Sequence, residues 1–333
     1  MSQSLTFSVG IPTYNQAEYL EETILSLLHQ SRPPDQIFVS DHFSTDSTPQ
    51  IIDKYVRLGR LTAGKPPPGV NLTGQWQYTL SQLRGDWVTL LSSDDLARPN
   101  FCEVLMRGAE RHPAAALVRA GWENINGQGE ILSKEYLLSV RPLVEPPHTL
   151  LSQRHGPKVS FAAYALNRDA LARSGPLSTA MESLADWSLF LQISPFGAFV
   201  YENEIISGYR IHQTDKFRLR LGMWLRDEQR IFSEVMPAAA RHAGLTDQTW
   251  IEEASRQNFF RYLASASQKL SLEERQPFAA DFLSWAGKVD GEDALARFLS
   301  GEVISTPQSW AGRLKGLARP LAQRLYAGLH HHA

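Results

Sequence analysis

Two adjacent carboxylates, Asp94 and Asp95, follow the apolar segment WVTLL and two serines, and Pro99 comes shortly after them. Like charges this close repel each other. Three arrangements make such a pair tolerable: a metal ion bound by both, a proton held between them, or a solvated turn that caps the next helix. The pair is therefore a candidate for metal or acid–base chemistry, and the elements around it must decide.

Polar residues follow two further apolar segments. PTYN (residues 12–15) comes after LTFSVGI (5–11), which is predicted to be a buried strand closed by Pro12. SDHFSTD ends the strand predicted over 36–40, and the acidic pair ends the strand predicted over 86–91. Because ligands of parallel α/β sheets bind beyond the carboxyl ends of the strands, these three clusters are expected to form one site.

The intervening segments have helical spacing of apolar residues. Strands that alternate with helices predict an α/β fold with a mostly parallel sheet flanked by helices. The chain is expected to divide into an α/β domain at 1–215, which contains the three polar clusters, and a helical domain at 216–333. The remaining elements expected in the first domain are helices at 18–30, within STDSTPQIIDKYV (44–56), and at 73–83, 99–112 and 185–193, strands at 114–122 and 158–166, and a strand–turn–strand at 197–212.

Composition and charge exclude several classes of protein. The net charge of −2 gives no general affinity for nucleic acid, and the single cysteine, Cys102, excludes an internal disulfide framework and a thiolate zinc cluster. The N-terminus does not read as a signal peptide, and no apolar run approaches the ~20 residues of a membrane span. A cytoplasmic location is therefore expected.

The C-terminal segment 310–329 combines regularly spaced leucines with arginine and lysine, and it contains no acidic residue. A basic amphipathic helix of this kind can lie on an anionic membrane surface. The other interpretation is a packing helix with a solvated basic face. Peripheral contact with the inner face of the cell membrane is thus one expectation for this segment.

Four segments in chain order resemble the family 2 glycosyltransferases, which have a GT-A fold. Residues 9–48, from VGIPTYN to FSTDST, resemble the opening of that family, and GDWVTLLSSDDLARPNF resembles its acidic metal motif. LADWSLFLQIS resembles the segment that carries the catalytic carboxylate, and GYRIHQTD resembles the segment that closes the site. The resemblance extends over roughly residues 5 to 215.

This resemblance implies a nucleotide-diphosphate sugar as the donor, with UDP or dTDP as the nucleotide, and a divalent cation, Mn²⁺ or Mg²⁺. Asp94 and Asp95 would hold the cation, and His212 would be a further ligand, which suits Mn²⁺ better than Mg²⁺. Ser93 would contact the donor beside them. Taken alone, Asp94 and Asp95 could instead cap the helix that begins near Pro99, and His212 could be an ordinary loop histidine.

The resemblance also implies a nucleotide site at the first two strand ends. PTYN, which is Pro12, Thr13, Tyr14 and Asn15, would form its floor, with Tyr14 stacking on the base; in the other interpretation PTYN is a turn and Asn15 caps the next helix. Asp41 would lie under the base or ribose. His42 and Ser92 depart from the family pattern, which has Asp or Asn and Asp at these positions, so the base remains open.

The catalytic base implied by the resemblance is Asp186, which would take the proton of the acceptor hydroxyl in an inverting transfer. Trp187 beside it could pack against a sugar ring, and Ala185 stands where the family often has Glu. Asp186 could alternatively cap the helix that follows it. Arg210 would pair either with a phosphate or with a surface carboxylate.

Together these residues predict an inverting, metal-dependent glycosyltransferase. Its acceptor would be a glycan or lipid-linked oligosaccharide in cell-surface polysaccharide or lipopolysaccharide assembly. The alternative is a non-catalytic GT-A-like subunit that binds nucleotides or glycans. A dinucleotide-binding enzyme is disfavoured because GIPTYNQ lacks the glycine spacing of a phosphate-binding loop.

Overall fold

The computed structural model describes residues 4–136, 141–181, 183–212 and 216–306. The basic segment 310–329 lies outside these residues, so its membrane contact stays a prediction. The chain divides into two compact units. The first comprises residues 1–149, 158–180 and 192–212, and the second comprises residues 150–157, 181–191 and 213–333. The boundary expected at residue 215 stays a prediction.

A ten-stranded mixed sheet forms the first unit. Its main path runs β3-β2-β1-β4-β9-β6-β10-β5, with β7 paired to β6 and β8 paired to β10. The strands are β1 (Phe7–Thr13), β2 (Gln36–Asp41), β3 (Thr62–Gly64), β4 (Trp87–Leu90), β5 (Leu96–Ala97), β6 (Leu117–Ile125), β7 (Ile131–Glu135), β8 (Leu143–Val144), β9 (Tyr164–Asn167) and β10 (Phe199–Arg210). The α/β fold with a central sheet flanked by helices is therefore confirmed. The expected parallel pairing is found in β3-β2-β1-β4 and between β6 and β10, whereas β5, β7, β8 and β9 pair antiparallel with their neighbours.

Strand β1 does not stop at Pro12, as the sequence predicted, but continues to Thr13. Pro12 pairs with Ser40 of β2 on one side. On the other side β4 ends at Leu90, opposite Gly10. Because alternate residues of a strand bond to the same neighbour, the missing N–H of Pro12 faces the side where β4 has already ended, and it leaves no ladder bond unmade.

The segment predicted as strand, turn and strand is one strand, β10. Its pairing with β6 is parallel and carries register irregularities between Glu202 and Ser207. Glu202 at the first irregularity is paired with Arg107 and Arg111. The polar residues that suggested a turn therefore belong to a bulged strand whose charges are neutralised from a neighbouring helix. Strand β9 is also shorter than predicted and begins at Tyr164.

The sheet is covered by helices that bury leucine, isoleucine and phenylalanine against it. This apolar burial drives the packing, and it leaves the strand ends to the polar loops. The helices in or bordering the first unit are α1 (Leu20–Leu28), α2 (Thr48–Arg57), α3 (Leu72–Gln82), α4 (Phe101–Arg111), α5 (His148–Leu151), α6 (Arg168–Ser174) and α7 (Ala185–Ile193).

The second unit is mostly helical, with aromatic residues in its core. Trp285 packs against Phe232, Phe259 and Tyr262. A π-helical segment, Ile231–Val235, joins two α-helices, and Pro237 just after it lacks the N–H that regular α-helical bonding requires. Besides the start of α7, its helices are α8 (Lys216–Arg230), α9 (Met236–His242), α10 (Thr249–Lys269), α11 (Leu272–Arg275), α12 (Ala279–Ala286) and α13 (Glu292–Leu299).

Among the described residues, none of these helices combines the length and the apolar character that crossing a bilayer would require.

Candidate active site

The loop after β1 is fastened to the loop after β2. Asn15 adopts a left-handed backbone conformation (φ 49°), its N–H donates to Ser44 Oγ at 2.8 Å, and its side-chain oxygen accepts from the N–H of Thr45 at 2.8 Å. Helix α1 begins five residues later with Tyr19 as its N-cap. Asn15 therefore does not cap that helix, and instead it fixes the shape of the PTYN loop.

Gln75 of α3 joins the ends of β1 and β2 beneath this loop. Its buried amide donates to the backbone oxygens of Thr13 and Ser40, at 3.1 and 2.9 Å. Sequence reasoning missed this role, because the partners are backbone carbonyls 62 and 35 residues away. With the strand ends fixed, Tyr14 projects into solvent with 56% of its surface exposed.

Asp41 and His42 end the second strand beside Tyr14. Asp41 is buried, with one carboxylate oxygen accepting from the N–H of Ser44 at 3.0 Å and the other 3.9 Å from Lys65 Nζ. The N–H of His42 donates to Thr13 O at 2.9 Å, and its ring lies edge-on to Tyr14 at 6.0 Å. The predicted nucleotide residues are thus close together, and Lys65 is a charged neighbour that sequence reasoning missed.

Asp94 and Asp95 lie in a tight turn, where Asp95 N–H donates to Ser92 O at 3.1 Å. Their side chains have different surroundings. Asp95 is 1% exposed and accepts from the backbone N–H of Arg210 at 2.8 Å, whereas the side chain of Asp94 is 21% exposed. Helix α4 begins at Phe101 after Asn100, so neither carboxylate caps it.

Arg210, at the end of β10, braces the acidic turn. Its side chain is 1% exposed, and it donates to Asp94 O at 2.7 Å, to the carbonyl oxygens of Asn126 and Gly127 at 3.0 and 2.8 Å, and to Glu22 at 2.7 Å. Of the two partners considered from the sequence, a phosphate or a carboxylate, the described residues supply the carboxylate. Arg210 therefore positions the turn, and contact with a phosphate stays a prediction.

Thr23 of α1 holds the same turn from the other side. Its fully buried hydroxyl lies 3.0 Å from Ser93 O and 2.8 Å from Asp95 O. Ser93 is itself buried, so the described contact of this residue is through its backbone. Sequence reasoning missed Thr23, because a threonine on the buried face of an amphipathic helix looks like ordinary packing.

His212 reaches Asp94. Its Nε2 lies 2.7 Å from Asp94 Oδ2, and its ring packs edge-on against Tyr19 at 5.7 Å. This pair offers one oxygen and one nitrogen ligand, and both side chains are partly exposed. The predicted set of Asp94, Asp95 and His212 does not form a three-residue metal group in the described part of the chain, because Asp95 is directed towards Arg210.

Two protein ligands suit a cation whose other ligands come from a diphosphate and water, since Mg²⁺ is usually bound through one or two carboxylates plus substrate phosphates. The pair of Asp94 and His212 therefore fits a divalent ion in the presence of the donor. These residues do not form a metal site in which every ligand comes from the protein.

Asp186 belongs to the second unit, where it lies in the first turn of α7. It is 6% exposed, and one of its oxygens accepts from the N–H of Trp187 at 2.8 Å. Trp187 is 1% exposed, packs against Phe232 at 6.1 Å and donates its indole N–H to Gln153 O at 3.1 Å. The expectation that Trp187 packs against a sugar is therefore wrong, because its ring is part of the core.

The central sheet flanked by helices is a GT-A fold. Residues 8–171 match the family model for glycosyl transferase family 2. This part of the chain therefore belongs to glycosyl transferase family 2, and the fold is GT-A.

Two curated relatives show how far the similarity extends. Hyaluronan synthase of Pasteurella multocida is 24% identical over 217 residues, which cover 65% of this chain and 21% of the relative. The poly(ribitol-phosphate) β-N-acetylglucosaminyltransferase TarS of Staphylococcus aureus is 31% identical over 136 residues, 38% of this chain and 22% of TarS. The chain thus spans about a fifth of the length of these relatives.

Solved structures agree on the fold. S. aureus TarS 1–349 in complex with UDP-GlcNAc superposes with a TM-score of 0.65 at 16% identity, covering 90% of this chain and 88% of TarS 1–349. The same TarS fragment in complex with UDP gives a TM-score of 0.61 at 17% identity, with the same coverage. At this identity the likeness extends to the fold alone.

Proposed function

We propose that this chain is an inverting, metal-dependent transferase that moves a sugar from a UDP-sugar to a growing glycan. The observation that carries the proposal is the 2.7 Å contact between Asp94 and His212, held at the carboxyl ends of the strands by buried contacts. The names of the relatives, a hyaluronan synthase and a poly(ribitol-phosphate) β-N-acetylglucosaminyltransferase, support a polymeric acceptor, which we place in cell-surface polysaccharide assembly.

The nucleotide would lie over the first two strand ends. Tyr14 exposes a ring on which a base can stack, and Asp41 offers carboxylate oxygens to a ribose hydroxyl or to a base N–H. Neutral His42 would accept a hydrogen bond from an imide N–H through its unprotonated nitrogen. Uracil and thymine both have such an imide, so His42 is compatible with UDP and with dTDP. We favour UDP because S. aureus TarS 1–349, which has the same fold, has been solved in complex with UDP.

Asp94 and His212 would hold the cation together with the donor diphosphate. A bound divalent ion neutralises the diphosphate as it leaves the anomeric carbon. Arg210 and Thr23 keep the acidic turn in place, so that Asp94 offers its carboxylate without an ordering cost when the donor binds.

Asp186 would act as the general base. The acceptor hydroxyl oxygen forms the bond to the anomeric carbon, the bond from that carbon to the diphosphate oxygen breaks, and the hydroxyl proton moves to the Asp186 carboxylate. Attack from the face opposite the leaving group inverts the anomeric configuration. Asp186→Asn is expected to lower turnover by about 100- to 10,000-fold, with nucleotide binding retained.

The test is nucleotide binding with and without metal. UDP, dTDP, GDP and CMP are each titrated calorimetrically in Mn²⁺ and in EDTA against wild type, Asp94→Ala and His212→Ala. Asp94→Ala keeps the backbone oxygen that accepts from Arg210, so the brace is preserved. His29→Ala, at an exposed histidine after α1, is the matched control.

We expect UDP to bind the wild type in Mn²⁺ and its binding to be lost in EDTA. In the two site variants the affinity for UDP should be about 10- to 100-fold lower. Binding that ignores EDTA and is unchanged in Asp94→Ala would contradict the metal site. Failure of all four nucleotides to bind a folded sample would favour the non-catalytic subunit.

A further inference from the structure

A carboxylate on α8 grips the chain where α7 begins. The backbone N–H groups of Ser183 and Leu184 both donate to Asp227 Oδ2, at 2.6 and 2.8 Å. Asp227 is fully buried. Leu184 O accepts the N–H of Ser188 at 3.0 Å, so the gripped residues lead directly into the first helical turn. Trp224, also on α8, donates its indole N–H to Ser183 Oγ at 3.2 Å.

The hydrogen bonds from these two backbone N–H groups to Asp227 are of the strong kind. Backbone N–H groups at the start of a helix have no partner within the helix, and hydrogen bonds from them to a carboxylate are charge-assisted. The negative charge also lies at the positive end of the α7 dipole. Burying a carboxylate is costly, and the guanidinium of Arg230, 3.5 Å from Asp227 Oδ1 on the same helix, offsets part of that cost. The carboxylate of Asp227 therefore fixes the two residues that lead into α7.

These hydrogen bonds also fix the backbone next to Asp186, which lies two positions after Leu184 in the first turn of α7. Its direction depends on where the backbone of that turn is held. A general base must come within about 3 Å of the oxygen that carries the proton it removes. A displacement of about 1 Å can cost roughly 100-fold in rate.

We propose that Asp227 is a positioning residue of the transfer reaction, which fixes the start of α7 and so aims the carboxylate of Asp186 at the acceptor hydroxyl. This inference rests on the proposed role of Asp186 as general base. It assigns a function in the reaction to a residue of the helical unit that the motifs of the catalytic domain do not include.

The first experiment replaces Asp227 by Asn, which keeps the size of the side chain and removes its charge. Four donors, UDP-glucose, UDP-galactose, UDP-GlcNAc and UDP-GalNAc, are tested on the wild type, and the one it consumes fastest is used. Turnover is followed by UDP release, and UDP affinity is measured by calorimetry. We expect kcat to fall about 10- to 100-fold. KM for the donor and the dissociation constant for UDP should change by less than about twofold, because the proposed nucleotide contacts belong to the first unit.

Two matched controls separate positioning from general loss of structure. Glu228→Gln removes a carboxylate that is equally buried on the same helix but pairs with Arg261. Trp224→Phe removes one indole bond to the gripped segment, and Trp285→Phe removes an equivalent bond to Ser255 at 2.9 Å, away from it. Only Asp227→Asn and, by about threefold, Trp224→Phe should lower kcat. If Asp227→Asn does not fold, the two tryptophan variants carry the test.

A double variant decides whether Asp227 acts through Asp186. If it does, Asp186→Asn/Asp227→Asn turns over no more slowly than Asp186→Asn alone. If the fold-reductions of kcat in the two single variants multiply in the double variant, the inference is overturned and the proposed base is not. The same holds if kcat is unchanged in Asp227→Asn and Trp224→Phe while Asp186→Asn is inactive. Undiminished turnover in Asp186→Asn would overturn the proposed base, and the inference with it.

Discussion

Replacing Arg210 by Lys is the sharpest test of how the acidic turn is held. The guanidinium reaches three backbone carbonyls and the carboxylate of Glu22 from a buried position. A lysine ammonium can approach one of the carbonyls and remain near Glu22, but it cannot span the fork. Two part-buried carbonyls then lose their donors, at about 1–2 kcal/mol each, so the free energy of unfolding should fall by about 2–4 kcal/mol.

The assay is urea unfolding followed by fluorescence, together with calorimetry of UDP in Mn²⁺. Since Arg210 holds the backbone of Asp94, we expect the UDP dissociation constant to rise about tenfold as well. Glu22→Gln is the matched control, because it removes only a half-exposed ion pair worth about 0–1 kcal/mol. A free energy of unfolding within 1 kcal/mol of wild type, with unchanged UDP affinity, would refute the bracing role.

Two further predictions concern buried polar groups. Thr23→Val removes the hydroxyl that contacts both carbonyls of the acidic turn and keeps the shape of the side chain. In urea unfolding, the free energy of unfolding should fall by about 1–3 kcal/mol. An equal fall in Thr23→Ser would show that the methyl group, and not the hydroxyl, is responsible. Burial raises the pKa of Glu228 to about 7. Because the folded state binds this proton more tightly, stability relative to Glu228→Gln should fall by about 3 kcal/mol as the pH rises from about 4.5 to 7. A flat difference in thermal unfolding across that range would contradict the raised pKa.

The site shows how far motif reading reaches. The polar ends of three strands were found from residue types alone, because apolar runs and turn residues are local in sequence. The family resemblance also suggested His212 as a partner of the acidic pair, and Nε2 of this histidine lies 2.7 Å from Asp94 Oδ2. The sequence could not assign different tasks to the two carboxylates, since the difference is made by the N–H of Arg210, 115 residues from Asp95.

The residues that were missed share one physical property. Thr23, Gln75 and Asp227 all make their decisive hydrogen bonds to backbone groups. Every residue but proline carries the same backbone groups, so no spacing of side chains marks such a partner. Pro12 was misjudged for a related reason, because only the position at which β4 ends makes its missing N–H harmless.

The sequence by itself determined the alternation of strands and helices, the edge at which a ligand can bind, and the carboxylates available there, because all of these follow from local patterns of apolar and polar residues. The tertiary structure alone decided that Asp95 faces a backbone N–H while Asp94 faces His212, that Arg210 is a buried brace, and that Asp227 holds the helix of Asp186. These outcomes depend on which distant chain segments meet, and burial then makes each polar group take the partner that it finds there.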